Sequence, residues 1–411
     1  MKQHVSPFIA LQYRDFRLLW IGLFISSIGS QMQLVAVNWH VYLLTKSAFS
    51  LGIIGLARFL PLIILAPLSG TVADMINRKK LMLLAQIAMT IFSFILTITT
   101  FLHIASPIII YLLIAALSAA SSFDMPARQS LIPSLVPKKH FINAVSIHST
   151  MWQASMVLGP SLGGFVIASF GVGNVYFINT LSFIAVIIAI ILMTPLKKQI
   201  TEKPSFNLAS LKEGFVFVKN TPMIYSTMLL DFIATFFSAA TVLLPIFAHD
   251  ILKVGPQGLG LLYAAPSIGA IVAGLIISSH GAKLKHQGTL LLFGVFLYGF
   301  ATILFGISRS FILSLIFLML SGIGDMVSSV IRNTIRQFMT PDYIRGRMVA
   351  VNMIFFMGGP QLGEVEAGIV AGFVGSPLSV IIGGVGTVIA AGIVTLLVPQ
   401  LKKYQGHELV V

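Results

Sequence analysis

Residues 174–222 read NVYFINTLSFIAVIIAIILMTPLKKQITEKPSFNLASLKEGFVFVKNTP. The passage sets an uncharged apolar run, 174–195, directly against a polar segment. A helix that crosses lipid needs roughly 20 predominantly apolar residues, and 174–195 meets that length. The polar segment that follows holds Lys197, Lys198, Glu202, Lys203, Pro204, Lys212, Glu213, Lys219 and Asn220. Working outward, the same kind of apolar run recurs on both sides. The expected spans are 17–43, 51–73, 81–102, 107–135, 142–170 and 174–195 before the polar segment. After it come 223–248, 257–279, 288–308, 310–339, 346–374 and 376–398. The reading is an all-α membrane protein of twelve spans, split six and six.

Composition supports this. The 411 residues are 57% hydrophobic and only 9% charged, against about 25% charged in a soluble domain. Too little polar surface remains to clothe a water-soluble fold, whereas lipid solvates apolar helix faces. The formal charge of +14 raises nucleic acid as a partner, but the Lys and Arg sit in short punctuations between apolar runs. No basic stretch carries the interleaved aromatics on which bases stack. The chain has no cysteine, which excludes disulfides and thiolate metal sites. Its nine histidines show no metal-binding spacing, and His40 reads as an interfacial hydrogen-bonding group. Residues 1–16 lack the pattern of a cleavable signal, so the first apolar run is expected to be a retained helix.

The distribution of Lys and Arg sets an expected orientation. With both termini cytoplasmic, 22 of the 26 fall on inward segments and three, Lys46, Lys253 and Arg309, on outward loops. Arg58 falls inside span 2. That excess is the signature of an N-in, C-in topology. The expected domains are a six-helix bundle over 1–196, a cytoplasmic linker over 197–222, and a second bundle over 223–411. Within the linker, 205–218 is expected to form a short amphipathic helix on the membrane surface. The halves match weakly at a shift of 204: Arg128 on Arg332, Pro137 on Pro341, Gly159 on Gly363, Gly164 on Gly368. Two parallel repeats with a path between them follow from that shift and the central break.

Two motifs carry a family resemblance over nearly the whole chain. Between spans 2 and 3 stands Gly70-Thr-Val-Ala-Asp74-Met-Ile-Asn77-Arg78-Lys79-Lys80. Asp74, at the C-terminal end of its helix, meets an unfavourable dipole and needs a donor, with Arg78 a candidate. Asn77 is expected to take a left-handed turn, which Asn tolerates best among non-glycine residues. In span 5 stands Ser155-Met-Val-Leu-Gly159-Pro160-Ser-Leu-Gly163-Gly164. Ser155, Gly159 and Gly163 share one face and permit close helix approach, and Pro160 removes a backbone hydrogen bond. The first motif resembles the Gly-x-x-x-Asp-Arg-x-Gly-Arg-Arg/Lys loop of the major facilitator superfamily, with Met75 and Asn77 as departures. The second resembles that superfamily's antiporter signature in helix 5. The finer resemblance is to its enterobactin-exporter-like and macrolide-efflux-like branch. It rests on Pro126-Ala-Arg128-Gln129, Leu135-Val-Pro137, Arg345-Gly346-Arg347, Leu362-Gly363-Glu364 and Ala367-Gly368. The resemblance implies a cytoplasmic latch at Gly70, Asp74, Arg78 and Lys79, and a monomer as the family default. The bland alternatives are a solvated loop acid and a generic small-residue packing face.

Ionisable groups inside spans are costly and mark functional sites by default. Asp124 and Arg128, four apart in span 4, lie on one helix face and read as an ion pair, with gating as the alternative. Arg332 and Arg336 take the related place in span 10 as a second gate. Asp231 in span 7, Asp325 in span 10, and Glu364 and Glu366 in span 11 are the proton-coupling candidates, Asp231 and Glu364 foremost. A carboxylate that alternates between an apolar setting and one beside a cation can take up and release a proton. The competing reading of each is a satisfied polar residue that fixes packing. Gln31, Gln33 and Asn38 in span 1, and Arg58, are substrate-path candidates. For Arg58, snorkelling to the outer surface and pairing with Glu364 or an anionic substrate stand even.

No Gly-Lys pair exists in the sequence, so no phosphate-binding loop for ATP is present. No catalytic constellation stands out. The expectation is a secondary active transporter, not an enzyme, with no cofactor and a proton gradient as its energy source. It would export siderophores or amphiphilic drugs by alternating access, with a small-molecule substrate, protons and the inner-membrane bilayer as its partners. An importer of a small metabolite or iron complex is the first alternative. A non-transporting receptor or assembly factor is the second.

Overall fold

A computed structural model describes residues 8–194, 208–280 and 286–406. The side chain of Asp74, and residues 197–207 of the expected linker, lie outside the described set. Six long helices come first: α1 (Arg14–Thr45), α2 (Ala48–Met75), α3 (Arg78–Phe101), α4 (Pro107–Leu131), α5 (Phe141–Phe170) and α6 (Val172–Leu192). The 13-residue α7 (Leu208–Asn220) follows. Then come α8 (Pro222–Phe237), the single turn α9 (Leu244–Ile246), α10 (Gly255–His280), α11 (Gln287–Ile307) and α12 (Phe311–Met339). α13 (Arg345–Val374), α14 (Ser376–Leu397) and the short α15 (Pro399–Lys403) complete the order. Among the described residues, eleven helical segments are long and apolar enough to cross a membrane. The 30-residue α13, which carries Arg345, Arg347, Glu364 and Glu366, is not one of them.

The chain divides into two compact units. The first comprises Met1–Leu44 and Ala57–Phe206, the second Thr45–Leu56 and Asn207–Val411. The opening turns of α2 thus pack with the second unit. There, a Cβ added at Gly52 would lie 3.2 Å from the Cα of Gly368 on α13. In the first unit, Phe16, Leu19 and Leu23 of α1 pack with Met82 of α3, Leu131 of α4, Met151 of α5 and Ile190 of α6. Lipid is as apolar as these side chains, so close van der Waals fit holds such helices together, and small residues permit it. Gly159 of α5 faces Gln31 and the Ile28 carbonyl of α1. A Cβ at Gly163 would sit 3.0 Å from the Cα of Met32. Ser155 is fully buried and donates to the Met151 carbonyl at 2.9 Å. The second unit repeats this contact. A Cβ at Gly363 of α13 would meet Ala239 at 2.8 Å, just past the end of α8.

Turns repeat as well. Gly171 (φ +83°) joins α5 to α6, and Gly375 (φ +86°) joins α13 to α14. Each is a one-residue connection whose backbone suits glycine alone. Two sequence expectations are corrected. Asn77 is not left-handed: at φ −56° it caps α3, its side-chain oxygen accepting from the N–H groups of Lys79 (3.0 Å) and Lys80 (3.3 Å). A cap satisfies otherwise orphaned first-turn donors, which favours Asn as strongly as a turn does. The run 223–248 is not one continuous helix. α8 stops at Phe237, and a 3-10 turn (Ala240–Leu243), α9 and a π-helix (Phe247–Ile251) follow. Buried hydroxyls make the break tolerable by satisfying freed backbone groups. Tyr298 donates to the Ser238 carbonyl at 3.3 Å, and the Thr387 hydroxyl lies 2.8 Å from that of Ser238 and 3.4 Å from the Ala234 carbonyl.

Candidate coupling site

α8 places Asp231 two turns before its break, with 4% of the residue exposed. α12 brings Arg332 and Arg336, one turn apart, to the same acid. Arg332 Nη2 lies 2.9 Å from Asp231 Oδ1, and Arg336 Nη2 lies 3.5 Å from Asp231 Oδ2. Both guanidinium groups are buried, at 2% and 3% exposure. Asp325, seven residues before Arg332 on α12, approaches it at 3.4 Å. Its side chain is 47% exposed, while that of Arg332 is 2% exposed. Arg336 also donates through Nε to the Arg332 carbonyl at 3.1 Å and through Nη1 to Asn352 of α13. Two acids and two arginines thus form a charge-balanced cluster, buried on one side and open at Asp325. One donor, Arg332 Nε, is buried with no hydrogen-bond partner. Removing charge from one member leaves another buried and uncompensated, which is strongly unfavourable in an apolar surrounding.

The first unit holds its counterpart. Arg128 pairs with Asp124 on its own helix, and Asp124 is fully buried. Gln86 of α3 donates to Asp124 at 2.9 Å. In a separate network, Gln33 of α1 accepts from Asn179 of α6 at 2.7 Å and from Ser93 of α3 at 3.1 Å. Gln33 is therefore enclosed in a helix-packing network. Arg58 donates to Asn38 at 3.5 Å, and its carbonyl accepts from Ser118 at 2.6 Å. Its guanidinium meets a side chain of α1. Gln31 lies against Gly159. His40 meets the Tyr176 hydroxyl at 3.2 Å.

The remaining candidates separate. Arg78 donates to the Ser130 carbonyl at 3.1 Å, near the end of α4, and Lys79 to the Met193 carbonyl at 2.7 Å, at the end of α6. Cations at helix C-termini complement the exposed carbonyls and the dipole. Around Gly70 a Cβ would meet open space. On α13, Glu364 lies against Gly55 of the opening turns of α2, where an added Cβ would be 3.0 Å from its carboxyl oxygen. Glu366 has no polar partner among the described residues, and Gly164 is buried in α5. No group of three or more potential metal ligands occurs among the described residues. Sequence reading missed Tyr298, Asn352 and Gln86, neutral side chains without a signal of their own. It also missed one available signal. Residue 328, at the shift of 204 from Asp124, is serine, so Arg332 lacks the acid four residues before it that Arg128 has.

A family profile described as transmembrane secretion effector, of the major facilitator class, matches residues 5–409. The chain belongs to that family. Its fold is the all-α membrane fold of major facilitator transporters, and the family transports rather than catalyses. The chain is a multi-pass protein of the inner membrane that moves small molecules across it. It is 28% identical to the enterobactin exporter of Citrobacter koseri over 396 residues, 95% of this chain and 93% of that one. An MFS-type transporter of Bacillus subtilis is 30% identical over 210 residues, which is 50% of this chain and about half (49%) of that relative. Among solved structures, a bacterial homologue of the human lysosomal transporter Spinster superposes with a TM-score of 0.75 at 16% identity, over 95% of this chain and 98% of that one. A bacterial homologue of ferroportin gives 0.72 at 14%, over 95% and 99%. Both likenesses concern the fold.

Proposed function

We propose that this secretion effector is a proton-coupled exporter of siderophores or amphiphilic drugs. The single observation that carries the reading is the buried cluster of Asp231, Arg332 and Arg336 with its open member, Asp325. A proton arriving at either acid removes one negative charge from a neutral set and leaves a buried arginine short of its counter-ion. The two states therefore favour different positions of α8 and α12. Asp325 is the more exposed of the two acids. A substrate that donates hydroxyl or ammonium hydrogens to it competes with the proton, and competition for one carboxylate makes exchange obligatory. The full-length similarity to enterobactin exporters supports a siderophore as cargo.

In this reading twelve spans cross the bilayer with both termini inside. Bundles 1–196 and 223–411 alternate access about a central path, and the proton gradient is the only energy source. The working unit is a monomer. Asp124–Arg128 and the loop of Gly70, Asp74, Arg78 and Lys79 steady the cytoplasmic ends, and Glu364 and Glu366 stand as secondary acids. Flux of enterobactin and of ethidium in proteoliposomes with an imposed pH gradient tests it. Gradient-driven accumulation that disappears in Asp231→Asn is expected. Accumulation indifferent to the gradient overturns proton coupling, and accumulation running with the proton flow reverses the direction.

A further inference from the structure

α7 is the element that the transport reading leaves unused, and it carries a second site. One face of α7 docks into the second unit. A Cβ at Gly214 would lie 2.9 Å from the Arg347 carbonyl of α13, and Val218 is buried with Ile224, Met228, Met348 and Val351. Glu213 is engaged by Arg347. The adjoining stripe, Lys212, Phe215, Val216 and Lys219, follows helical spacing of three, four and seven. Phe215 and Val216 are exposed at 45% and 48%, and neither lysine meets a carboxylate among the described residues. With Tyr225 at the start of α8 and Phe355 of α13, these residues line a groove of about 370 Å³.

We infer that this groove holds an anionic phospholipid of the leaflet on which α7 lies. Its apolar floor takes the upper acyl chain, and the two lysines, one at each end, take the phosphate. Three features select this occupant. α7 runs directly into a membrane-spanning segment at Pro222, which fixes it at the interface. Exposed aromatic and aliphatic side chains beside lysines match the depth profile of a bilayer boundary. Among the described residues the neighbouring acid, Glu213, is engaged by Arg347 and not by the lysines, so the described lining of the groove is cationic.

Native mass spectrometry of the full-length chain in neutral detergent, titrated with phosphatidylglycerol or phosphatidylcholine, reads the site without any transport assay. Phosphatidylglycerol is expected to be retained and phosphatidylcholine not. K212Q/K219Q should weaken retention roughly 30-fold, about fivefold for each lysine near a charged surface. K212R/K219R should restore it, and F215S/V216S should shorten retention with an unchanged circular-dichroism melt. Equal binding of the two lipids overturns the inference, as does wild-type retention by K212Q/K219Q or loss that arginine fails to rescue. Displacement by excess inorganic phosphate assigns the groove to a soluble anion and overturns the lipid.

Discussion

Asp231→Asn removes one charge with almost no change of shape, so its consequences follow from the ion cluster alone. Each Asp231 oxygen holds one arginine, at 2.9 and 3.5 Å. With an effective dielectric near 20, the gross attractions are about 6 and 5 kcal/mol. Arg332 keeps Asp325 after the change. Arg336 keeps only the Arg332 carbonyl and Asn352, so the loss falls on it. Breaking a buried pair from one side costs roughly 3–5 kcal/mol. At roughly 2–4 °C per kcal/mol for a body of about 200 residues, that is a drop of roughly 6–20 °C in melting temperature. The three tryptophans, Trp20, Trp39 and Trp152, all lie in the first unit. The assay is therefore circular dichroism of purified protein, because tryptophan fluorescence would report the wrong unit. Adding Arg336→Gln removes the orphaned charge as well. The double variant should be more stable than the sum of the singles requires, by about 1–3 kcal/mol. A single variant melting within about 2 °C of the wild type, or a strictly additive cycle, refutes the reasoning.

Asp325→Asn should melt closer to wild type than Asp231→Asn does, because Arg332 keeps Asp231 after the change and no arginine is left without an acid. The same variant should still lose most gradient-driven flux in proteoliposomes. Gly163→Leu should cut the yield of folded protein several-fold by size-exclusion chromatography, since its added atoms enter the Met32 backbone; overpacking of this kind costs about 1–3 kcal/mol or more. Asp124→Asn should be less damaging than Asp231→Asn in the same melt, because Arg128 is partly exposed and loses a single partner.

The sequence made the span pattern legible because charge is so costly in lipid that runs such as 174–195 cannot be anything else. A helix near 205–218 was legible from its mixture of lysines and apolar residues, and α7 covers Leu208–Asn220. The turns at Gly171 and Gly375 were not, because one glycine among 35 reveals nothing until its φ is known. The break after Phe237 was hidden too. Its determinants, Tyr298 and Thr387, lie on α11 and α14, far away in sequence. For the site, the acids and arginines were individually visible as intramembrane charges, but their pairing was not. Charges four apart on one helix, such as Asp124 and Arg128, can be matched by spacing. Of the two acids at Arg332, Asp325 lies seven residues before it on the same helix, but Asp231 is about a hundred residues away, and only the packing of α8 on α12 brings it there.

That difference in pairing bears on how the two units divide their labour. Arg128 takes its acid from its own helix, so the pair travels with α4 and keeps its geometry however that helix moves as a body. In the second unit the position matching Asp124 is Ser328, whose hydroxyl is buried and makes no hydrogen bond. Arg332 and Arg336 both pair with Asp231 of α8, and Arg332 also with Asp325 of its own helix. Any shift of α8 against α12 changes two ion-pair distances at once, and any change of charge on Asp231 biases that shift by the same linkage. A single substitution tests this division. Ser328→Asp would give Arg332 an acid four residues before it, as in the first unit, in addition to Asp325 seven residues before it. The variant should melt higher than wild type by circular dichroism and lose gradient-driven flux; unimpaired flux would show that exchange of partners between α8 and α12 is not the coupling step.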